Sequence, residues 1–190
     1  PTKRQLRVGH AGTLDPFATG LLIILLGDAT KRSDEFLKQD KTYEATVTLG
    51  AVSSTGDPEG ELTPVSDSKP ADEAVQAVLS LFTGQITQTP PAYSAIKVNG
   101  QRAYKLARKG QDVEIPSRQV TIHSLEVTEY DYPELKLRTH VSSGTYIRSL
   151  AQDIGEALGT GGYCSQLRRT KIGAQLITHA TEVDKFPSID

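Results

Sequence analysis

The sequence predicts an α+β fold, and three observations lead to that prediction. Strand patterns and helix patterns are interleaved along the 190 residues without the strict alternation of a doubly wound sheet. Hydrophobic residues make up 37% of the chain and charged residues 23%, which is an ordinary globular balance. The length and the absence of a clear linker indicate one domain over residues 1–190.

The first half of the chain contains one clear strand and one clear helix. Residues 43–49 alternate apolar and polar side chains, as in a half-buried strand, and the apolar run 21–26 also has the length of a strand. Residues 50–60 are rich in turn formers. Residues 70–82 predict a helix, because a proline suits the first turn and the later apolar side chains share one face.

The second half predicts a short helix, a hairpin and a longer helix. Residues 101–108 fit a short helix closed by Gly110. Residues 118–142 alternate on both sides of a turn near Pro133, which indicates a β-hairpin. Residues 145–158 carry apolar side chains at helical spacing, and Gly159 ends that pattern.

The near-neutral net charge conceals segments of opposite sign. The formal net charge is −2, which excludes a uniformly basic protein that coats nucleic acid. Residues 1–14, 94–118 and 160–175 are locally basic, whereas residues 54–75 carry six acidic residues and one lysine. Each segment is either a solvated face or a local surface for a charged partner.

The cysteine content and hydropathy limit the cellular setting. The single cysteine, Cys164, excludes an intramolecular disulfide and a multi-cysteine metal site. We therefore expect a reducing, cytoplasmic location. We expect no membrane span, because no run approaches the roughly 18 consecutive apolar residues that a span requires. The chain contains no methionine, so we expect either a piece excised from a longer protein or a chain that lacks its start.

An unusual loop at residues 9–20 presents a candidate catalytic acid. Three glycines and a proline in twelve residues exclude a regular helix or a central strand. Asp15 precedes Pro16, which restricts the backbone and therefore the direction of the carboxylate. From spacing alone, the alternative that Asp15 caps a helix beginning at Pro16 stays open.

A second unusual segment, residues 143–148, places a cation where a helix begins. Arg148 lies in the first turn of the predicted helix, where the helix dipole disfavours a positive charge. A carboxylate or phosphate partner would explain its position. The alternative is a surface arginine whose aliphatic stem lies on the sheet.

A third segment, residues 89–110, combines cations with aromatic side chains. Tyr93 and Tyr104 interleaved with lysines and arginines suit a surface that follows a nucleic-acid backbone and stacks bases. Three cations share one helical face by their spacing: Arg102, Lys105 and Lys109. A solvated helix face is the alternative.

Several other chemistries have little support in the sequence. The four histidines lack the close spacing of a metal-binding pair, which argues against zinc catalysis: His10, His123, His140 and His179. A glycine-rich phosphate loop followed by Lys-Ser/Thr is absent, and residues 142–144 lack the flanks of a nucleophile elbow. No second carboxylate has a setting as distinctive as that of Asp15, so a two-acid glycosidase site is not indicated.

Taken together, the unusual segments resemble the TruB family of tRNA pseudouridine synthases. Five motifs stand in family order and cover nearly the whole chain: residues 12–16 within loop 9–20, residues 41–45, 90–97, 144–148 and 167–170. The resemblance implies the pseudouridine synthase fold, a mixed, mainly antiparallel central sheet with flanking helices. It also implies an RNA-binding insertion at approximately residues 85–118.

The resemblance also implies a role for each matching position. Asp15 is the expected nucleophile in the isomerisation of uridine to pseudouridine at position 55 of the tRNA T-loop. By the same resemblance, Tyr43 stacks on the uracil and assists proton removal, and Arg148 pairs with the aspartate. We expect this cation to lower the pKa of Asp15 and keep it ionised. The expected substrate-binding residues are His10, Tyr146, Leu167, Lys31, Lys97, Arg102 and Lys105. The family uses no cofactor or metal, its partner is tRNA, and we expect a monomer.

Two related functions remain as alternatives. One is the catalytic core of a guide-RNA-directed pseudouridine synthase, and the other is a non-catalytic RNA-binding or tRNA-folding module. By the resemblance, we expect a catalytic domain that lacks the family's N-terminal Lys-Pro-x-Gly strand and a C-terminal RNA-binding domain of the PUA type.

Overall fold

The structure is a computed structural model that describes residues 6–94, 96–98, 100–111 and 114–185. Its strands are β1 (Val8–His10), β2 (Thr19–Gly20), β3 (Ile24–Leu26), β4 (Lys41–Leu49), β5 (Ala51–Ser53), β6 (Leu62–Pro64), β7 (Gly84–Gln88), β8 (Lys97–Val98), β9 (Gln101–Arg102), β10 (Arg118–Asp131), β11 (Glu134–Val141), β12 (Gly162–Ile172) and β13 (Gln175–Leu176). Its α-helices are α1 (Ser33–Leu37), α2 (Asp72–Leu81), α3 (Ala103–Ala107) and α4 (Ile147–Ala157). Single 3₁₀ helices cover Gly27–Arg32, Ile177–His179 and Val183–Lys185.

The central sheet is mixed and mainly antiparallel. Its strand order is β13-β12-β4-β11-β10-β7, with every neighbour in this series antiparallel. The short strand β2 pairs with β12 in parallel. The predicted α+β class with a mixed, mainly antiparallel sheet and flanking helices is therefore confirmed.

Helices α2 and α4 enclose the main core against this sheet. Helix α4 packs on β12 and β4, and α2 packs on β10 and α4. Leu150 and Ile154 of α4 are buried together with Val47 of β4 and Leu135 of β11. Burying one such aliphatic side chain fully contributes about 1.5–3 kcal/mol, so this shared core fixes the start of α4 relative to the sheet.

Three two-stranded sheets lie outside the central sheet. They pair β1 with β3, β5 with β6, and β8 with β9. The β8–β9 sheet and α3 lie between β7 and β10 in the chain, within the segment predicted as an insertion, whereas β7 itself belongs to the central sheet. Residues 1–5 of the first basic segment and residues 112–113 of the second lie outside the described residues. None of the described helices is long and apolar enough to cross a bilayer.

Most predicted elements are present, and the structure alters some and adds others. The strand at 43–49, the hairpin and the two longer helices are confirmed. Residues 101–102, predicted as helical, form β9, and the helix is limited to α3. The turn-rich segment also contains β5, while β7 and the long strand β12 were not predicted. Strand β12 contains three cations, which obscured the alternation of apolar and polar side chains by which a strand is predicted.

Candidate active site

The loop that carries Asp15 is a tight turn rather than the start of a helix. The amide of Ala18 donates a hydrogen bond to the carbonyl oxygen of Asp15 at 2.9 Å, which closes a four-residue turn with Pro16 in its second position. The backbone at Gly12 has a φ of +108°, a value that favours glycine. The helix-cap alternative for Asp15 is therefore wrong, since no helix begins at Pro16.

Arg169 holds this loop against the central sheet. Its side chain is almost completely buried, and it donates hydrogen bonds to the carbonyl oxygens of Leu21 at 2.8 Å, Gly12 at 3.1 Å and Thr13 at 3.2 Å. A Cβ atom at Gly20 would overlap the carbonyl oxygen of Arg169, so only glycine permits this approach. One buried cation thus fixes the segments on both sides of Asp15.

Arg148 reaches Asp15 from the first turn of α4. Its Nε lies 3.1 Å from Oδ2 of Asp15, and its Nη2 lies 3.4 Å from Oδ1. The side chain of Arg148 is only 3% exposed and that of Asp15 is 29% exposed. The structure therefore places the predicted pair in contact, and the alternative of a surface arginine is wrong.

Gln88 fixes the N-terminal end of α4. Its side-chain amide donates to the carbonyl oxygen of Tyr146 at 3.0 Å, and its Oε1 accepts from the Tyr146 amide at 2.7 Å. Gln88 is 1% exposed, so this contact is shielded from water. Because Arg148 follows two residues later, Gln88 also positions the guanidinium. The sequence offered no signal for this role.

Asp57 is a second carboxylate on the same guanidinium. Its Oδ2 lies 3.0 Å from Nη1 of Arg148, and its side chain is 6% exposed. The remaining guanidinium hydrogens go to the carbonyl oxygens of Thr55 at 2.9 Å and Tyr93 at 2.8 Å. Asp57 lies in the acidic, turn-rich segment, and its role was not predicted. Arg148 therefore links three separate loops at one point.

The electrostatic balance at Asp15 differs from the sequence-based expectation. Burial raises the pKa of the Asp15 carboxyl above its ordinary value, and this outweighs the opposing effect of Arg148. The negative charge of Asp57 also raises the pKa, whereas Arg169 lowers it. The expectation that Arg148 gives Asp15 a lowered pKa is therefore wrong. The guanidinium instead limits the increase that burial causes.

A cleft of about 300 Å³ opens beside Asp15, at the lower end of the usual range for ligand pockets. Tyr43, Tyr146 and Leu167 line it together with Asp15. Burial raises the pKa of Tyr43, so this ring remains a neutral phenol at neutral pH. Arg118, a cleft residue that was not predicted, lies 5.1 Å from the centre of the Tyr146 ring. The cleft thus combines aromatic walls with one carboxylate.

The remaining predicted residues lie outside the cleft lining. His10 is exposed in β1, and Lys31 is exposed and forms an ion pair with Asp28 at 2.8 Å. Three exposed cations lie together on β8, β9 and α3: Lys97, Arg102 and Lys105. Lys97 and Arg102 are direct cross-strand partners. This small sheet follows Tyr93, whose carbonyl contacts Arg148, so the predicted RNA-binding segment is connected to the Asp15 pair.

Other candidate groups do not contribute to this cleft. Within the described ranges, one group of three side chains could hold a metal, and it consists of Asp40, His123 and His140. Spacing along the chain did not indicate this group, because the β10–β11 hairpin brings together histidines that are distant in sequence. A larger cavity of about 850 Å³ lies around Asp153 and does not include Asp15. Burial raises the pKa of the Cys164 thiol to about 12, which leaves it protonated.

Family profiles match almost the whole chain. The profile of the TruB family pseudouridylate synthase N-terminal domain matches residues 2–147. The profile of the tRNA pseudouridylate synthase B C-terminal domain matches residues 148–186.

Curated relatives and solved structures agree with these profiles. The tRNA pseudouridine synthase B of Burkholderia lata is 49% identical over 187 residues, covering 97% of this chain and 57% of the relative. The protein of the same name from Parabacteroides distasonis is 48% identical, covering 96% of this chain and 80% of the relative. A chain of a Cbf5-Nop10-Gar1 complex superposes with a TM-score of 0.66 and 32% identity, covering 88% of this chain and 40% of the other. An H/ACA RNP bound to a substrate RNA containing 2′-deoxyuridine gives a TM-score of 0.63 at 28% identity, covering 88% of this chain and 39% of the other.

Proposed function

The chain belongs to the TruB family of pseudouridylate synthases, and from that premise we propose that it isomerises uridine to pseudouridine in the T-loop of tRNA, at the position conventionally numbered 55. The observation that carries this proposal is the ion pair between Asp15 and Arg148 beside a cleft with two tyrosine walls. A folding module for RNA has no need for a buried cation that orients a carboxylate beside such a cleft. The non-catalytic alternative is therefore disfavoured.

The reaction requires one nucleophile and a site that retains the detached base. The N1–C1′ glycosidic bond breaks, the uracil rotates, and a C5–C1′ bond forms. The proton on C5 leaves and N1 gains a proton, so atoms and electrons balance without an oxidant or reductant. Asp15 acts as the nucleophile in its ionised form, through attack on either the sugar or the base.

The cleft walls hold the uncharged base while it rotates. The target uridine flips out of its stack at a cost of a few kcal/mol. Stacking on an aromatic side chain contributes about 1–3 kcal/mol per base, and Tyr43 provides this platform at the cleft. Tyr146 and Leu167 line the cleft and confine the detached ring. The neutral phenol of Tyr43 suits stacking better than the role of an ionised base.

The exposed cations supply RNA affinity outside the cleft. Lys97, Arg102 and Lys105 contact backbone phosphates of the T-loop and T-stem, which offsets the cost of base flipping. His10 and Lys31 lie on exposed surfaces and contact the RNA from the side of β1 and the first 3₁₀ helix. Action as a monomer is part of the same proposal. A tRNA substrate and a single cysteine support a cytoplasmic location.

The guide-directed alternative is supported by the superposition on an H/ACA RNP, a complex of protein and RNA bound to a substrate RNA. The curated tRNA pseudouridine synthase B relatives share 47–49% identity with this chain, compared with 32% for the Cbf5 chain, and this difference favours the tRNA enzyme. Activity on unmodified tRNA without a guide RNA distinguishes the two.

Replacing Asp15 with asparagine tests the proposed function. Asp15→Asn preserves the shape of the side chain but removes the nucleophile, so turnover should fall on the order of 10⁴-fold or more while tRNA binding is retained. Tritium release from tRNA labelled at uracil C5 measures turnover, and filter binding measures affinity. The control is Asp67→Asn, at an exposed position away from the cleft. Near-normal turnover in Asp15→Asn would refute the nucleophile assignment.

A further inference from the structure

A β-bulge brings two histidines together on the β10–β11 hairpin. Ile122 pairs with Val141, but the next pair is Ser124 with His140, so His123 and Ser124 both lie opposite His140. Bulges of this kind redirect a side chain within a sheet. The imidazole rings of His123 and His140 consequently lie with their centroids 4.7 Å apart and their planes inclined at 38°.

Asp40 adds an oxygen donor to this histidine pair. Its Oδ2 lies 3.1 Å from Nε2 of His123 and 4.0 Å from Nε2 of His140. Asp40 directly precedes β4, and its carbonyl oxygen accepts a hydrogen bond from the amide of Gly173 at 2.9 Å. The backbone that carries the carboxylate is therefore held in place by the neighbouring chain segment.

We propose that Asp40, His123 and His140 form a binding site for a divalent transition-metal ion of the zinc class. Two imidazole nitrogens and one carboxylate oxygen are the donor set of many three-ligand sites for such ions. Their donor atoms lie within 4.8 Å of one another. Tetrahedral coordination at about 2.1 Å requires donors about 3.4 Å apart, and the two distances to Asp40 bracket that value.

The exposure of the three side chains leaves room for an ion and water. Their side chains are 38–44% exposed, so an ion has access from solvent and a water molecule can occupy a fourth position. The same exposure permits the small side-chain rotations that convergence on one ion requires. The inference rests on this geometry alone and does not depend on the proposed isomerase activity.

Metal binding would add a side-chain link between Asp40, at the start of β4, and the hairpin, whose strand β11 already pairs with β4. Lys41 follows Asp40, lines the cleft beside Asp15, and donates to the carbonyl oxygens of Gln39 and Leu37 at 2.5 and 3.0 Å. An ion at this site would therefore stabilise one edge of the cleft through the backbone of β4. We expect the ion to be structural, because its ligands do not line the cleft.

Titration of the metal-free chain with Zn²⁺ alone tests the proposal. Isothermal titration calorimetry at neutral pH should show one saturable site per chain. Each of the variants Asp40→Asn, His123→Asn and His140→Asn should bind at least about tenfold more weakly, since even loss of an outer-shell partner costs about 10–100-fold in affinity. His179→Asn, which changes a histidine outside the cluster, should bind as the unmodified chain does.

Thermal unfolding provides a second measurement of the same site. Zn²⁺ should raise the midpoint of the unmodified chain and of His179→Asn, because an ion that binds only the folded state stabilises it. The three cluster variants should show no such increase. Absence of saturable binding to the unmodified chain, or unmodified affinity in any one of the three variants, would overturn the three-ligand site and leave only a close contact between Asp40 and His123.

Discussion

Replacing Arg148 with glutamine tests how the buried charge cluster contributes to stability. The substitution removes the cation but leaves Asp57, whose side chain is 6% exposed, and Asp15, at 29%, without their partner. Removing one member of a buried ion pair typically costs about 3–5 kcal/mol, because the remaining charge is uncompensated. We expect a loss in this range for Arg148→Gln, since both carboxylates and the carbonyl oxygens of Thr55 and Tyr93 lose their donor.

Equilibrium unfolding in urea measures this loss, and a second substitution tests its cause. Asp57→Asn in the Arg148→Gln background removes the more deeply buried of the two uncompensated charges, so the double variant should be more stable than Arg148→Gln alone. The coupling between contacting residues is typically about 0.5–3 kcal/mol. Arg32→Gln is the control, because Arg32 pairs with Glu35 on the exposed surface and its loss should leave the unfolding free energy unchanged.

Replacing Arg148 with lysine distinguishes the effect of the positive charge from the effect of the guanidinium shape. Lysine retains the positive charge but offers a compact ammonium instead of a planar fork, and the guanidinium here donates to four separate groups. This variant should retain more stability than Arg148→Gln and still lose activity, because Asp15 loses its fixed orientation. A loss below about 1 kcal/mol in Arg148→Gln, or no recovery with Asp57→Asn, would refute the view that Arg148 compensates buried carboxylates.

Two further outcomes follow from the site. Because Asp15 acts in its ionised form and its pKa is raised, kcat/KM should fall as the pH decreases through a value above the ordinary 3.8. Asp57→Asn should move that fall to lower pH, and an unchanged pH profile would contradict the contribution of Asp57 to the raised pKa. Replacing both Lys105 and Lys109 with glutamine should reduce the slope of log affinity for tRNA against log salt concentration by at most about two, whereas the control Lys185→Gln should not change this slope. An unchanged slope in the double variant would mean that both lysines face solvent away from the RNA.

The elements that could be predicted are those with an uninterrupted apolar pattern. The β10–β11 hairpin and β4 alternate with a period of two, and α4 buries Ile147, Leu150 and Ile154 at helical spacing. The position of Arg148 in the first turn of α4 also indicated an anionic partner, either a carboxylate or a phosphate, because the helix dipole opposes a cation there. The identity of that partner came from the family resemblance, since spacing alone also allowed Asp15 to cap a helix.

The site residues that were not predicted have charged or polar side chains of the kind that is usually exposed to solvent. Asp57 lies in an acidic segment that a sequence reading assigns to solvent, yet it is buried against Arg148. Gln88 is a polar residue at the end of a short strand, and only tertiary structure shows that it holds Tyr146. Pairing across the hairpin likewise decides that His123 lies beside His140. Such contacts between distant segments leave no periodic signal along the chain.

Arg169 shows why the apolar–polar pattern of a sequence can fail to predict a strand that supports a functional site. On β12, Leu167 and Arg169 are buried and Arg168 between them is exposed, so the alternation of a half-buried strand is intact. The alternation is obscured only because an inward position carries a cation, which is almost never fully buried unless it is paired. Here its partners are the carbonyl oxygens of Leu21, Gly12 and Thr13, which the Asp15 loop turns towards it. Strand β12 and the loop therefore stabilise each other: the loop supplies acceptors for the buried cation, and the cation holds the loop carbonyls in place.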